Sequence, residues 1–398
     1  MRLFQLMFVC VTASLLAASA SCQMKNPVSD SLIGDARSHL GVDRRTSVFD
    51  VRTSADGEAL TLKGEIQNSA LRDSLLGFLR SRWKGTIIDS LTVIPHPSVG
   101  RKSWAVTSVS VANLRTRPEH SQEMGTQVLL GSLLSIVKSD SGWYRVQTAE
   151  GYLGWTDDLL VPMDDSEFQA WSAKPKVIVT AIYGFTHQDA DEGSQVVSDI
   201  VIGDIFWLKG VGDGFYEVGY PDGRTGYLRK DNAMLLPDWM AERKPSSESI
   251  VATAKRFFGV PYMWGGTSAK ALDCSGFTKT VYFLNGILLP RDADQQADIG
   301  DAVDTSDNFS HLRAGDLLFF GRKATSQRRE HVTHVGISLG GSRFIHESVD
   351  VHYNSLNPSD RDYSDFRRKG LLRVRRILGS TNRIRFLKDL SYFQSHGL

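Results

Sequence analysis

The chain has 398 residues, with 46 Lys and Arg against 45 Asp and Glu, a formal net charge of +1 and 41% hydrophobic residues. That length exceeds one ordinary hydrophobic core and implies two to four domains. Charge this evenly balanced offers no field for a nucleic acid, and no such partner is expected. The N-terminus reads as an export signal over 1–22: Arg2 precedes the apolar segment LFQLMFVCVTASLLAASA. Two endings compete. Ala18-Ser19-Ala20 suits ordinary signal-peptidase cleavage, whereas SASC suits a lipoprotein signal that leaves Cys22 as an acylated first residue, the ending preferred here despite Ser19. No later segment is apolar enough to span a bilayer, so membrane contact is expected only through lipid on Cys22.

Residues 23–45 begin polar and turn helix-forming around SLIGDARSHLG. SVFDVRTSADGEALTLKGEI alternates apolar and polar residues on both sides of Asp56-Gly57, a hairpin pattern. NSALRDSLLGFLRSRW has helical periodicity, with Leu71, Leu75, Leu76, Leu79 and Trp83 on one face and Asn68 as the cap, and TIIDSLTVIP closes the unit as a strand. This strand-strand-helix-strand order resembles the small BON-like αβ module of bacterial envelope proteins, placed over 23–100. From about residue 104 the chain is all β, with an internal repeat. Gly131, Gly142, Tyr144 and Val146 recur 72 residues on as Gly203, Gly214, Tyr216 and Val218. Each unit is expected to hold five or so short strands, a small barrel. The run from VANLRTRP through GWYRV to GYLGW resembles bacterial SH3-like domains, giving one barrel over 101–165 and a second over 172–238.

The last domain, 246–398, is expected to be α+β: helices in SESIVATAKRFFG and CSGFTKTVYFLNG, then strands in GDLLFFG, HVGISLG, RFIHES and LLRVRRIL. The basic run RRKGLLRVRRILGSTNRIRFLK reads first as a solvated strand and tail, and alternatively as a contact for anionic glycan or lipid. Only Cys10, Cys22 and Cys274 occur, so Cys274 has no disulfide partner if Cys22 is lipidated. A lone thiol in an oxidising compartment is either inert and buried or a nucleophile. Asp273 as N-cap puts Cys274 in the first turn of a helix, where free N–H groups favour a thiolate and can receive an oxyanion. A hairpin centred on residue 340 would set His334 directly opposite His346 on one face, a base and the group that orients it. His331 would fall in the loop or on the other face. A zinc site made of the same residues is the rival, with few close ligands to support it.

PYMWGG, DCSGF, LPRDADQQ, RAGDLLFF, THVGISLG and FIHES occur in this order and resemble the NlpC family of papain-like cysteine peptidases. The resemblance implies Cys274 as nucleophile, His334 as base, His346 as third polar residue and Tyr262 near the oxyanion. With two barrels in front, the chain is similar to γ-D-glutamyl-L-diamino acid endopeptidases of the bacterial cell wall. That likeness implies that Asp292 pairs with the substrate's free ammonium, that Glu123 and Tyr152 supply barrel contacts, and that Trp264, Asp273 and Ser275 line the cleft. Ala293 departs from relatives that carry Ser at this position. The expected protein is a monomeric, cofactor-free and metal-free peptidase in the periplasm, acting on murein peptides. A murein amidase or acyltransferase on the same scaffold, or a non-catalytic murein-binding lipoprotein, is the alternative.

Overall fold

The computed structural model describes residues 27–157 and 159–393; the expected export signal over 1–22, with Cys22, lies outside them. The N-terminal module runs α1 (Pro27–His39), β1 (Phe49–Asp56), β2 (Ala59–Ile66), α2 (Ser69–Arg80) and β3 (Ile87–Val93). The hairpin closes with Asp56 opposite Ala59, and α2 crosses over to bring β3 parallel to β2. Asn68 caps α2 by accepting the Leu71 N–H at 2.8 Å. Leu75 and Leu79 of α2 are buried against Leu60, Leu62 and Ile66 of β2.

The first all-β unit comprises β4 (Trp104–Thr107), β5 (Val111–Arg115), β6 (Met124–Leu129), β7 (Leu133–Asp140), β8 (Trp143–Gln147), β9 (Leu153–Thr156) and β10 (Leu160–Met163). After α3 (Asp165–Ser172) the second comprises β11 (Lys176–Val179), β12 (Tyr183–His187), β13 (Val196–Val201), β14 (Ile205–Val211), β15 (Phe215–Gly219), β16 (Thr225–Arg229) and β17 (Ala233–Leu235). Each sheet therefore has seven strands, not the five or so expected. The first is ordered β6-β5-β9-β8-β7-β4-β10 and the second β13-β12-β16-β15-β14-β11-β17, the same order place for place. The 72-residue offset reaches the closing bridge, Arg115↔Trp155 in one sheet and His187↔Tyr227 in the other.

The repeated glycines have a physical cause. Gly131 and Gly203 both have positive φ, and they face each other's sheet where the two units meet. A Cβ on Gly131 would lie 2.2 Å from the Ile205 carbonyl oxygen. Here the Ile205 N–H donates to the Leu130 carbonyl, and buried Asp204 accepts the N–H groups of Leu130 and Val201. Gly142 and Gly214, by contrast, turn hairpins in open space.

α4 (Leu236–Glu242) leads into the C-terminal domain, which begins with α5 (Ser247–Lys255), β18 (Thr267–Ser268), β19 (Ala271–Leu272) and α6 (Cys274–Phe283). It continues with β20 (Ile287–Leu288), α7 (Ala293–Gln296), β21 (Asp301–Val303), β22 (Leu317–Arg322), β23 (His331–Gly340), β24 (Arg343–Glu347), β25 (Val351–Ser355), α8 (Asp365–Gly370), β26 (Leu371–Arg376) and β27 (Arg385–Phe386). Its main sheet is antiparallel, ordered β21-β26-β22-β23-β24-β25. Phe319, Val335, Ile337 and Ile345 join Phe277 and Val281 of α6 in one core, while Leu318, Phe320 and Phe344 fill a second cluster. The basic run supplies β26, an inner strand, and its arginines are engaged. Arg376 pairs with Asp316 at 2.7 Å, Arg373 pairs with Glu330, and Arg375 donates to the Ala297 carbonyl. Among the described residues no helix is long and apolar enough to cross a membrane.

Gly131→Ala should cost at least about 3 kcal/mol, because backbone strain adds to a clash with an immovable carbonyl. Gly142→Ala should cost only the positive-φ penalty, about 1–2 kcal/mol. Denaturant melts of the two variants test this, and equal losses would contradict the packing described.

Candidate active site

The helix carrying Cys274 starts where it does because Asp273 stops it. The Asp273 Oδ1 accepts the Gly276 N–H at 2.7 Å and its Oδ2 accepts the Gly265 N–H at 2.9 Å. The same carboxylate receives Arg291, with Nη2 at 2.6 Å from Oδ2 and Nη1 at 3.2 Å from Oδ1. Arg291 is 1% exposed; it also donates to the Ser275 hydroxyl at 2.9 Å and, from Nε, to Thr126 of β6 at 2.9 Å. Asp273 and Ser275 are both buried, and their oxygens are engaged by the helix start and by Arg291.

The sulfur of Cys274 lies against the backbone N–H of Val335, the residue after His334. His334 and His346 share a face, but not through the expected pairing. His346 stands opposite Gly336, and His334 is two residues along. A bulge between Ser338 and Gly340 and a turn at Gly341-Ser342 displace the register by two, which preserves the face. Gly336 makes the diagonal contact possible, since a Cβ there would come within 3.0 Å of the His346 Cβ. The His334 Nε2 lies 2.8 Å from the His346 Nδ1, and the His346 Nε2 lies 3.0 Å from the Asn354 Oδ1.

Asn354 fixes the tautomers. Its Nδ2 donates to the carbonyls of Tyr353 and Asp362, so Oδ1 must accept. His346 then carries its proton on Nε2 and accepts on Nδ1, and His334 donates from Nε2. The His334 Nδ1, with no hydrogen bond to any described residue, is left with a free lone pair. His331 lies at the exposed start of β23, opposite Arg322.

Electrostatics favour the neutral forms of Cys274 and the two histidines. Burial, then the Asp273 charge, pushes the Cys274 thiol up to about 12, against the pull of the Val335 N–H, Arg291 and the Ser275 N–H. A helix start is worth about 0.3–2 kcal/mol to an anion, too little to win at 8% exposure. Burial thus opposes the thiolate that the helix start favours. Burial, then the Arg367 charge, holds the His334 imidazole well below its ordinary range and brings His346 down to about 3. Phe320 and Phe344 wall in the two rings. The Arg367 guanidinium lies 5.7 Å from the Phe320 ring centroid and has no acid partner among the described residues.

Tyr262 faces Cys274 and Asp273, and burial followed by those charges raises its pKa, so it remains a phenol able to donate. Trp264, 64% exposed, donates to the Glu123 Oε1 at 2.8 Å, bringing catalytic domain and first sheet together at the cleft rim. Tyr152 is 9% exposed and its hydroxyl faces Asp292. Asp292 also accepts from Arg45 of the N-terminal module at 2.9 Å. Sequence reasoning missed Arg291, although it stands inside LPRDADQQ, and it missed Asn354, Arg45 and Glu347. Glu347 is 0% exposed, with neither carboxylate oxygen hydrogen-bonded. No group of three His, Cys, Asp or Glu side chains among the described residues is placed to hold a metal.

A cysteine opening a helix, packed against strands that carry a hydrogen-bonded histidine pair, defines a cysteine-nucleophile hydrolase of the papain-like type. Comparison with known proteins agrees. The NlpC/P60 family profile matches residues 259–369, and the profile of the bacterial dipeptidyl-peptidase Sh3 domain matches 114–158. One such Sh3 domain is detected where two were expected, so the second sheet is tied to the first by strand order and offset alone. A γ-D-glutamyl-L-lysine dipeptidyl-peptidase from Bacillus cereus is 30% identical over 271 residues, covering 66% of this chain and 79% of the relative. One from Bacillus subtilis is 28% identical over 234 residues, covering 56% and 71%. The crystal structure of an NlpC/P60 family protein from Bacillus cereus superposes with a TM-score of 0.58 at 27% identity, covering 69% of this chain and 99% of that one. The chain belongs to the NlpC/P60 family of cysteine peptidases.

Glu347 gives a pH test of the packing around the site. Burial, then Asp350 and Asp273, raises its carboxyl from 4.5 to about 8. Below pH 4.5 the folded and unfolded chains both hold the proton, and Glu347 costs nothing. As pH rises, the unfolded chain releases its proton first, so stability falls until about pH 8 and then levels. Glu347→Gln should therefore raise the melting temperature by a margin that is small at pH 5 and greatest from pH 8 upward. A margin independent of pH would contradict this environment.

Proposed function

We propose that this chain is a cysteine endopeptidase that hydrolyses the bond between the side-chain carboxyl of D-glutamate and the diamino acid in peptidoglycan stem peptides with a free N-terminal L-alanine. The observation that carries the reading is the Asn354-His346-His334 chain, which leaves the His334 Nδ1 as the free acceptor, one residue from the Val335 N–H that the Cys274 sulfur meets. The relatives named γ-D-glutamyl-L-lysine dipeptidyl-peptidases support the choice of bond.

In this reading the sulfur attacks the D-glutamyl side-chain carbonyl while the His334 Nδ1 takes the thiol proton. The oxyanion meets the Tyr262 hydroxyl and the free N–H groups at the start of α6. As the C–N bond breaks, His334 returns the proton to the amine of the diamino acid and a thioester remains. Water then attacks the thioester, giving its proton to His334, which passes it to the departing sulfur. Asp292 receives the substrate's ammonium, flanked by Tyr152, with Glu123 and Trp264 at the rim. We place the mature protein in the periplasm, held by lipid on Cys22, on the strength of the leader sequence.

L-Ala-γ-D-Glu-diaminopimelate and its N-acetylated form separate this reading from an amidase or acyltransferase. The free peptide should be split into L-Ala-D-Glu and diaminopimelate, with kcat/KM at least about 100-fold above the acetylated one, because acetylation removes the charge that Asp292 would pair with, a loss of about 2–5 kcal/mol. Cys274→Ala should abolish turnover with little change in melting temperature. Equal rates on the two peptides would remove the amine subsite, and residual turnover by Cys274→Ala would remove the mechanism.

A further inference from the structure

Residues 27–100 lie outside both matching family profiles, yet they reach the cleft. The turn between α1 and β1 crosses onto the first sheet and into α7 of the catalytic domain. The Arg45 carbonyl accepts the Leu153 N–H at 2.7 Å, which clamps its backbone beside Tyr152. Val48 and Ile94 of the module pack with Val137 and Leu153, and Gln147 donates to the Thr46 carbonyl. From this anchored turn the guanidinium extends over α7. The Nη1 donates to the Asp292 Oδ2 at 2.9 Å and to the Asp294 Oδ1 at 2.8 Å; the Nη2 donates to the Asp294 Oδ2 and the Asp43 Oδ2, both at 2.8 Å. Gln295 fixes Asp43 from the other side at 2.8 Å.

We propose that the N-terminal module completes the amine-binding subsite, with Arg45 as the positioning residue that holds the Asp292 carboxylate where the substrate's free amino group meets it. The inference rests on the amine reading of Asp292 given above.

Two observations make Arg45 a support and not a plug. The first is charge. Arg45 and Arg291 face four carboxylates, Asp43, Asp273, Asp292 and Asp294, so the cluster keeps two negative charges in excess and still draws an ammonium. The second is geometry. Arg45 takes only the Oδ2 of Asp292, and the Oδ1 stands 3.8 Å from the Arg291 Nη1, too far for a hydrogen bond. One oxygen is held and the other is free of arginine. The groups facing Asp292 are Arg291, Arg45, Asp294, Asp273 and Tyr152. Burial raises its pKa, Arg291 and Arg45 oppose that rise, and Asp294 and Asp273 add to it. Removing Arg45 deletes one of the two cations, so the carboxyl should take up a proton at higher pH and swing from its aimed position.

The test uses the full chain with Arg45→Met and Arg45→Lys, assayed on L-Ala-γ-D-Glu-diaminopimelate and its N-acetylated form from pH 5 to 8. Arg45→Met should raise KM for the free-amine peptide about tenfold or more at pH 6 and by less at pH 8, with kcat within about twofold. Turnover of the acetylated peptide should not change, and Arg45→Lys should recover part of the loss. Melting curves report whether the module stays docked. A variant that loses docking should lose KM in parallel with it, whereas undocking without a KM change would refute the proposal. If the wild type discriminates between the peptides and Arg45→Met keeps the same KM, the role of Arg45 is overturned alone. A KM that falls would mean that the guanidinium blocks the subsite, and it overturns the proposal too. A wild type indifferent to acetylation would remove the amine subsite itself.

Discussion

The site depends on one buried ion pair, Asp273 with Arg291. The Asp273 carboxylate caps α6, tethers the Gly265 turn and chelates a guanidinium that is itself bonded to Thr126 of the first sheet. Breaking such a pair from one side leaves a charge stranded in low dielectric, a loss of about 3–5 kcal/mol. Its effect on chemistry is equally direct. The negative charge beside Cys274 adds to burial in keeping the thiol protonated. The pair that fixes the nucleophile in space thus also favours its protonated form, as burial does.

The opposite wall carries the proposed base. An imidazole accepts the thiol proton only if its free nitrogen is the one facing sulfur. Asn354, on β25, leaves Nδ1 as the free nitrogen of His334 through His346, across two strand boundaries. Gly336 gives the middle ring room, and Phe320 and Phe344 keep water from competing for the ring nitrogens. The remaining wall comes from elsewhere in the chain: Glu123 and Tyr152 from the first sheet and Arg45 from the module before it. Glu123 and Tyr152 are held by backbone bonds within their own unit, and Arg45 by a backbone bond from Leu153 of the first sheet.

What could be read from the sequence follows how local each signal is. The start of α6 was legible because an N-cap acts over three residues. The repeat was legible because positive-φ glycines at a junction tolerate no substitute. The common face of His334 and His346 was legible because strand parity survives a slip of two, although the bulge after Ser338 moved the actual pairing. Arg45 touches Asp292 across 247 residues of chain, and nothing in the neighbourhood of either records it. Asn354 and Arg291 were opaque for the same reason: an Asn in a strand and an Arg before an Asp are ordinary surface residues until the fold buries them. The force opposing the thiolate was opaque because a helix start is visible in sequence, whereas burial of its first residue is not.

The most direct measurement is the nitrogen-15 NMR spectrum of the His334 and His346 rings in the wild-type protein at pH 7. This account predicts two neutral imidazoles, each protonated on Nε2, beside a protonated Cys274. A spectrum showing His334 as an imidazolium, reverting to neutral when Cys274 is replaced by Ala, would establish an ion pair at rest and contradict it.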